Sequence, residues 1–480
     1  MRTHASFRLR RGWLCCLLGV LSVLGGLRPS VAAPQTAPPI TATRLTALPN
    51  GGIAEDPLVV AHGRVYFGGP NGATGALWAS DGTPAGTVMI KSLPGWWPTA
   101  FEVMGPAVYF IATTATNSLQ YALWRTDGTA AGTVMIKTIS PAGTYGAVPT
   151  VLVEVHDLLW FYAPRQPDQS SALWRSDGTP EGTFPVFADP GPNYHGYGTS
   201  PIVAALGDAV YFAANHSTFG IELWRTDGTP AGTRLVTDLW PGPDSSQPAA
   251  LTVLGNHLYF QARHPDTGAE LWRTDGTAAG TVLASDTWPG SANGWSYPFT
   301  VWNGVLYFSA NAGPTAYGLW RTDGTSAGTR PVLDPPENLV AGLLTPWNGH
   351  LAMLRSPETP TAPSLWQTDG TARGTQQVLP TQGITMTNLT VIDRQLLVTA
   401  TDAATGSELW MGPGTTGTLE RLTDIAPGAA GSAPMHITAL GDSILFTAKD
   451  GTTGRQLWRI PRSALPPSYT TYVPVLTRRR

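Results

Sequence analysis

The chain has 480 residues, 13 % of them charged, and a formal net charge of −3. That balance offers no basic face and argues against a nucleic-acid footprint. The two cysteines, Cys15 and Cys16, both fall in a leader-like segment, so the rest of the chain has no disulfide, thiolate metal site or cysteine nucleophile.

Residues 1–33 read as a signal peptide. Arg2, Arg8, Arg10 and Arg11 precede an apolar stretch from Trp13 to Leu27, and Ser30-Val31-Ala32-Ala33 offers small residues for cleavage. Leu9-Arg10-Arg11-Gly12-Trp13-Leu14 partly resembles a twin-arginine signal. A general secretory leader with adjacent arginines is the preferred reading, and the apolar run is short for a membrane span. The leader predicts a secreted or cell-envelope protein. A proline-rich linker follows over residues 34–42.

From residue 43 to 461 one pattern repeats. Its fullest copy is Glu222-Leu223-Trp224-Arg225-Thr226-Asp227-Gly228-Thr229-Pro230-Ala231-Gly232-Thr233. The Leu-Trp pair recurs at Trp78, Trp124, Trp174, Trp224, Trp272, Trp320, Trp366, Trp410 and Trp458, at spacings of 44 to 50 residues. Seven copies carry the full Asp-Gly-Thr continuation, beginning at Asp81, Asp127, Asp177, Asp227, Asp275, Asp323 and Asp369. The copy at Trp410 has lost the Asp, and the copy at Trp458 runs into Pro461. A period of this length means stacked supersecondary units rather than one irregular core.

Each unit reads as four short strands. Around Trp272 they are Leu251–Leu254, His257–Phe260, Glu270–Arg273 and Thr281–Ala284, with Gly255-Asn256 as a two-residue hairpin turn. No stretch after the leader shows sustained helical periodicity. The reading is therefore all-β: a β-propeller of four-stranded antiparallel blades, with the repeated Trp at blade-to-blade interfaces. The last unit lacks a fourth strand, and Thr43–Leu48 resembles one, so the N-terminal strand can complete the last blade and close the ring. That count gives nine blades. An eight-bladed ring with a displaced unit is the alternative, and an open solenoid, uncapped at both ends, is the weaker one. Residues 462–480 form a tail with a short apolar patch ending in Arg478-Arg479-Arg480; a sorting tail and a disordered end are equal readings.

The motif resembles the bacterial repeat family named for its consensus Glu-Leu-Trp-x-x-Asp-Gly-Thr, over roughly residues 43–460. The resemblance implies an exported, multi-repeat protein of the bacterial surface. It brings no catalytic residues.

The repeated Asp invites a calcium reading. Calcium takes six to eight oxygens, and each turn here offers one Asp and a Thr. The Asp of Asp-Gly-Thr therefore reads as structural, accepting backbone N–H groups in its own turn, and no cofactor is expected. The histidines are scattered, with no zinc spacing, no nucleophile elbow and no phosphate loop. An enzyme is not expected.

Loop variation points elsewhere. The hairpin and Asp-Gly-Thr turns share one face and repeat closely. The other face carries longer, differing loops and the crossings between blades, where binding usually resides. Aromatics gather there. Trp240 and Trp288, at matching positions, read as gap fillers between blades. Trp96, Trp97, Tyr194, Tyr197 and Trp295 are the candidates for contacting a ligand. The expectation is a binding or adhesion scaffold for a glycan or surface protein on that variable face. A polysaccharide-active enzyme and a purely structural envelope protein are the alternatives.

Overall fold

A computed structural model describes residues 39–49, 52–53, 57–114, 120–140, 151–164, 171–187, 203–294, 298–313, 317–333, 340–356, 364–379, 383–413 and 418–465. The leader, most of the proline-rich linker, the tail beyond residue 465, and Tyr194, Tyr197 and Trp295 lie outside these residues. Residues 37–480 form one compact unit.

The strands pair into nine antiparallel four-stranded sheets, which decides between the eight- and nine-bladed readings. Blade 5 shows the pattern: Ala249–Leu254, His257–His264, Gly268–Thr274 and Val282–Ser285, paired in chain order. The first three observed strands extend the expected ones by up to four residues, and the fourth is shifted by one. Gly255 sits at φ 62° in the hairpin turn, as a turn matched to strand twist requires.

Nine apolar clusters hold the ring, and each combines residues of two consecutive blades. Every repeat Trp packs into the interface with the preceding blade. Trp272 lies with Leu223 and Val236 of blade 4, and Trp78 of blade 1 lies with Leu440, Leu445 and Leu457 of blade 9. That last cluster closes the circle.

Closure is made by the N-terminal segment. Thr43–Arg44 pairs antiparallel with Arg455–Pro461 as the outer strand of blade 9. The segment does more than supply a strand. Ile40 N–H donates to Leu422 O of blade 8 at 2.7 Å, and Ile53 N–H donates to Arg455 O of blade 9 at 2.7 Å. Leu45, Leu48 and Ile53 then fill the interface between blades 9 and 1. Gln456, fully buried, fixes the strap by accepting from Leu48 N–H at 2.9 Å and donating to Leu48 O at 3.0 Å.

Candidate functional site

Each letter of Asp-Gly-Thr-x-x-Gly-Thr has a partner in the turn. In blade 4, Asp227 Oδ1 accepts from Thr229 N–H at 2.9 Å and from its hydroxyl at 2.7 Å. Gly232 N–H donates to Thr229 Oγ1 at 2.9 Å, and Thr233 Oγ1 donates to Thr229 O at 2.7 Å. A Cβ on Gly232 would overlap the Asp227 carboxylate. Gly228 has φ 91°, so only glycine turns there without strain. The Thr229 hydroxyl, then its N–H, hold the Asp227 carboxyl below its ordinary value. Asp81, Asp127, Asp177, Asp275, Asp323 and Asp369 repeat the same bonds. Among the described residues, no three His, Cys, Asp or Glu side chains gather as a metal site.

The same turn is where one blade grips the next. Arg175, Arg225, Arg273 and Arg321 each donate through Nη1 to the glycine carbonyl of the following blade's turn, at Gly228, Gly276, Gly324 and Gly370. Arg459 of blade 9 reaches Gly82 of blade 1 at 2.8 Å, carrying the series across the closure. Blades 1 and 2 use lysine from the outer strand. Lys91 Nζ donates to Thr133 O and Lys137 Nζ to Thr183 O, both at 2.6 Å. Tyr66, Tyr109, Tyr211, Tyr259 and Tyr307 pack their hydroxyls over the next blade's turn glycine, leaving no room for a Cβ.

On the opposite face, the first residue of Glu-Leu-Trp has a role the sequence reading missed. Glu222, Glu270 and Glu408 are fully buried. Glu222 accepts from the N–H groups of Leu239, Trp240 and Ser246, at 3.2, 3.3 and 3.0 Å, and from the Ser246 hydroxyl. Glu270 accepts from Thr287 N–H and Oγ1, both at 2.8 Å, and from Trp288 N–H at 3.3 Å. Glu408 accepts from Thr423 Oγ1, Ile425 N–H and Ala426 N–H. Each carboxylate thus ties down the crossing to the next blade. Burial pushes Glu222 and Glu270 up to about 7, against the hydrogen bonds that pull them down. A sequence signal existed: these three glutamates alone are followed, sixteen positions on, by Asp-x-x-Pro-Gly, at Asp238, Asp286 and Asp424.

Of the five aromatic candidates, Trp96 and Trp97 fall among the described residues. Trp96 and Trp97 open the inner strand Trp96–Met104 of blade 2 rather than a loop. Trp96 stands edge-on to Trp124, with ring centroids 6.3 Å apart, and packs in the interface between blades 1 and 2. Trp97 is half-buried and pairs with Thr113.

A cleft opens instead on the short-turn face, between blades 7 and 8. Blade 7 has Ala352 and Gln367 where blade 6 has the gripping Tyr307 and Arg321, and blade 8 has Met411-Gly412-Pro413 where blade 6 has Arg321-Thr322-Asp323. The space left, about 250 Å³ with its open mouth included, is lined by Trp347, Asn348, Arg394, Gln395, Leu396, Met411, Gly412 and Pro413. Trp347 is a buried wall whose Nε1 donates to Arg394 O at 2.8 Å. Arg394 is exposed at the rim.

No family model matches this chain, and no curated protein matches it. Solved structures do. A puromycin hydrolase is 17 % identical with a TM-score of 0.37, the match covering 73 % of this chain and 58 % of that one. The β-propeller domain of the Trilobed protease from Pyrococcus furiosus is 12 % identical, with TM-score 0.35 and coverages of 68 % and 98 %. A prolyl endopeptidase is 11 % identical, with TM-score 0.45 and coverages of 84 % and 55 %. The likeness is one of fold.

The expected function is corrected: the solved structures named above are peptidases and a peptidase's propeller domain rather than glycan-binding scaffolds, and their likeness to this chain is of fold alone. Trp96 is drawn into a blade interface, because a ring beside a blade edge gains more by filling that interface than by facing water. Glu222, Glu270 and Glu408 are each occupied by their own crossing.

Proposed function

We propose that this chain is an exported, non-catalytic β-propeller that binds a segment of polypeptide in the cleft between blades 7 and 8. The observation that carries this reading is the cleft itself, beside a blade that has lost both gripping side chains. Ala352 and Gln367 replace the gripping pair of blade 7, and the adjoining cleft has an apolar floor and a cationic rim.

The walls favour a peptide over a sugar. Trp347 is only 8 % exposed, so it offers an edge rather than a face for stacking on a sugar. Export rests on the leader, and the repeat resemblance agrees with it.

The test is a peptide-array screen of purified residues 34–480, repeated with Trp347→Ala and Met411→Glu. Binding by the parent that falls at least about tenfold in both variants, with unchanged circular dichroism, supports the site. Peptides bound equally by all three proteins would place recognition elsewhere.

A further inference from the structure

We infer that the seam between blades 2 and 3 is a proton-controlled contact, held while Glu102 carries a proton and loosened once Glu102 and the facing Glu154 are both ionised. This is independent of the cleft between blades 7 and 8.

The first observation is register. Glu102, on the inner strand of blade 2, pairs with Tyr109. Glu154, on the inner strand Val153–Val155 of blade 3, pairs with Leu159. Residues directly opposite in an antiparallel ladder point to the same side of the sheet. Tyr109 and Leu159 lie in one apolar cluster, the one that joins blades 2 and 3. Both glutamates are therefore directed into that seam, from opposite walls. The electrostatics agree with the register, since the Glu154 charge acts on Glu102.

The second observation is that the other seams are uncharged there. At the position of Glu102 the other blades carry Val, Ala or Thr, and at that of Glu154 they carry Val, Ala or Pro. The flanking seams set Val59 against Val103 and Val153 against Ala205. One carboxylate among such residues carries a desolvation penalty; two facing each other add repulsion.

The third observation is what surrounds the pair. Glu102 Oε1 accepts from Val103 N–H at 2.9 Å, and Glu154 Oε1 accepts from Asp157 N–H at 2.7 Å. Among the described residues, no basic side chain forms an ion pair with either. Tyr109 packs its hydroxyl over Gly178. Arg125 is exposed one strand further out, beside Asp127. His156 and Asp157 are exposed in the turn after Glu154. Among the described residues, no third ligating side chain completes a metal set around the two carboxylates. Burial pushes the Glu102 carboxyl above its ordinary 4.5, the Val103 N–H pulls it back, and the Glu154 charge pushes it up again. With the folded value raised, the stability lent by this proton is complete below 4.5 and is lost as pH rises through the folded value.

The experiment is a double-mutant cycle on residues 34–480, with Glu102→Gln, Glu154→Gln and the double variant, melted by calorimetry at about pH 4 and about pH 8. Glu222 and Glu270 are common to all four proteins and cancel from the cycle. At the higher pH each single variant should raise Tm by about 1–3 °C, and the double by no more than either, because removing one charge already ends the repulsion. At the lower pH those gains should vanish. Amides of Trp96–Met104 and Val153–Val155 should lose protection from hydrogen exchange as pH rises in the parent, after correction for intrinsic rates, and regain it in Glu154→Gln. Gains that add in the double variant would mean two unrelated burials and overturn the inference. Single variants that melt lower at both pH values, or protection indifferent to Glu154→Gln, would make the glutamates structural and overturn it as well. A parent Tm at the higher pH that calcium raises and a chelator lowers, only while both glutamates are present, would overturn the proton in favour of a bridging cation.

Discussion

Two carboxylates in the repeat behave in opposite ways because of where they sit. Asp227 is solvated and accepts two short bonds, so it ionises early and its turn weakens only as strong acid protonates it. Glu222 is enclosed, and enclosure costs its charged form more than its donors return. Its folded value, about 7, lies above the ordinary 4.5. The stability it lends is therefore complete below about pH 4.5 and is lost as pH rises through 7. Thermal melts from pH 4.5 to 8 should show Tm declining across that window, and Glu222→Gln should flatten the decline; parallel slopes in both proteins would contradict this. The Asp was legible in the sequence because its bonds are local. The Glu was not, since its partners lie 17 to 24 positions away and depend on how a crossing folds back.

At the level of the blade, the strands were readable from aromatic and β-branched alternation, and so was the place of the tryptophan. What periodicity could not show is the neighbour. Arg273 and Gly324 are 51 positions apart, one blade pitch, and nothing in either motif says they meet. Lys91 and Lys137 grip the next blade from a different strand, through a threonine carbonyl of its turn. Removing one grip should cost about 1–2 kcal/mol, a hydrogen bond from a charged donor in a part-buried site. Urea unfolding of Arg273→Met should show that loss, while Gln367→Met, at the blade with no grip to lose, should show almost none. Trp224→Ala should cost more, about 3–5 kcal/mol, because it empties an interface.

Over the ring as a whole, the nine-fold count and the closing strand could be anticipated from the two ends of the repeat. The reach of the strap could not. Its contacts with blades 8, 9 and 1 span the stretch where Asp-Gly-Thr has decayed, so the N-terminal residues supply the cohesion that two degenerate blades lack. Deleting residues 34–48 should lower Tm by more than any single-grip variant and broaden the transition, as measured by calorimetry. Gln456→Ala, which releases Leu48, should move Tm in the same direction by less.

The strap also imposes an order of events in time. Thr46 and Gln456 are separated by 410 positions. Joining ends so distant costs about 5 kcal/mol in chain entropy, and contacts of such separation form slowly. Every other interface can assemble as soon as its own two blades are free to fold. The last one cannot exist until nearly the whole polypeptide has been made. Until then the nascent protein is an arc, with Leu58, Val65 and Phe67 at one open end and Leu440, Leu445 and Leu457 at the other. Those two sticky ends match each other across molecules as well as within one. The hazard for this protein during synthesis is therefore end-to-end joining of unfinished arcs, and rapid capture of the first strand by its own last blade is what averts it.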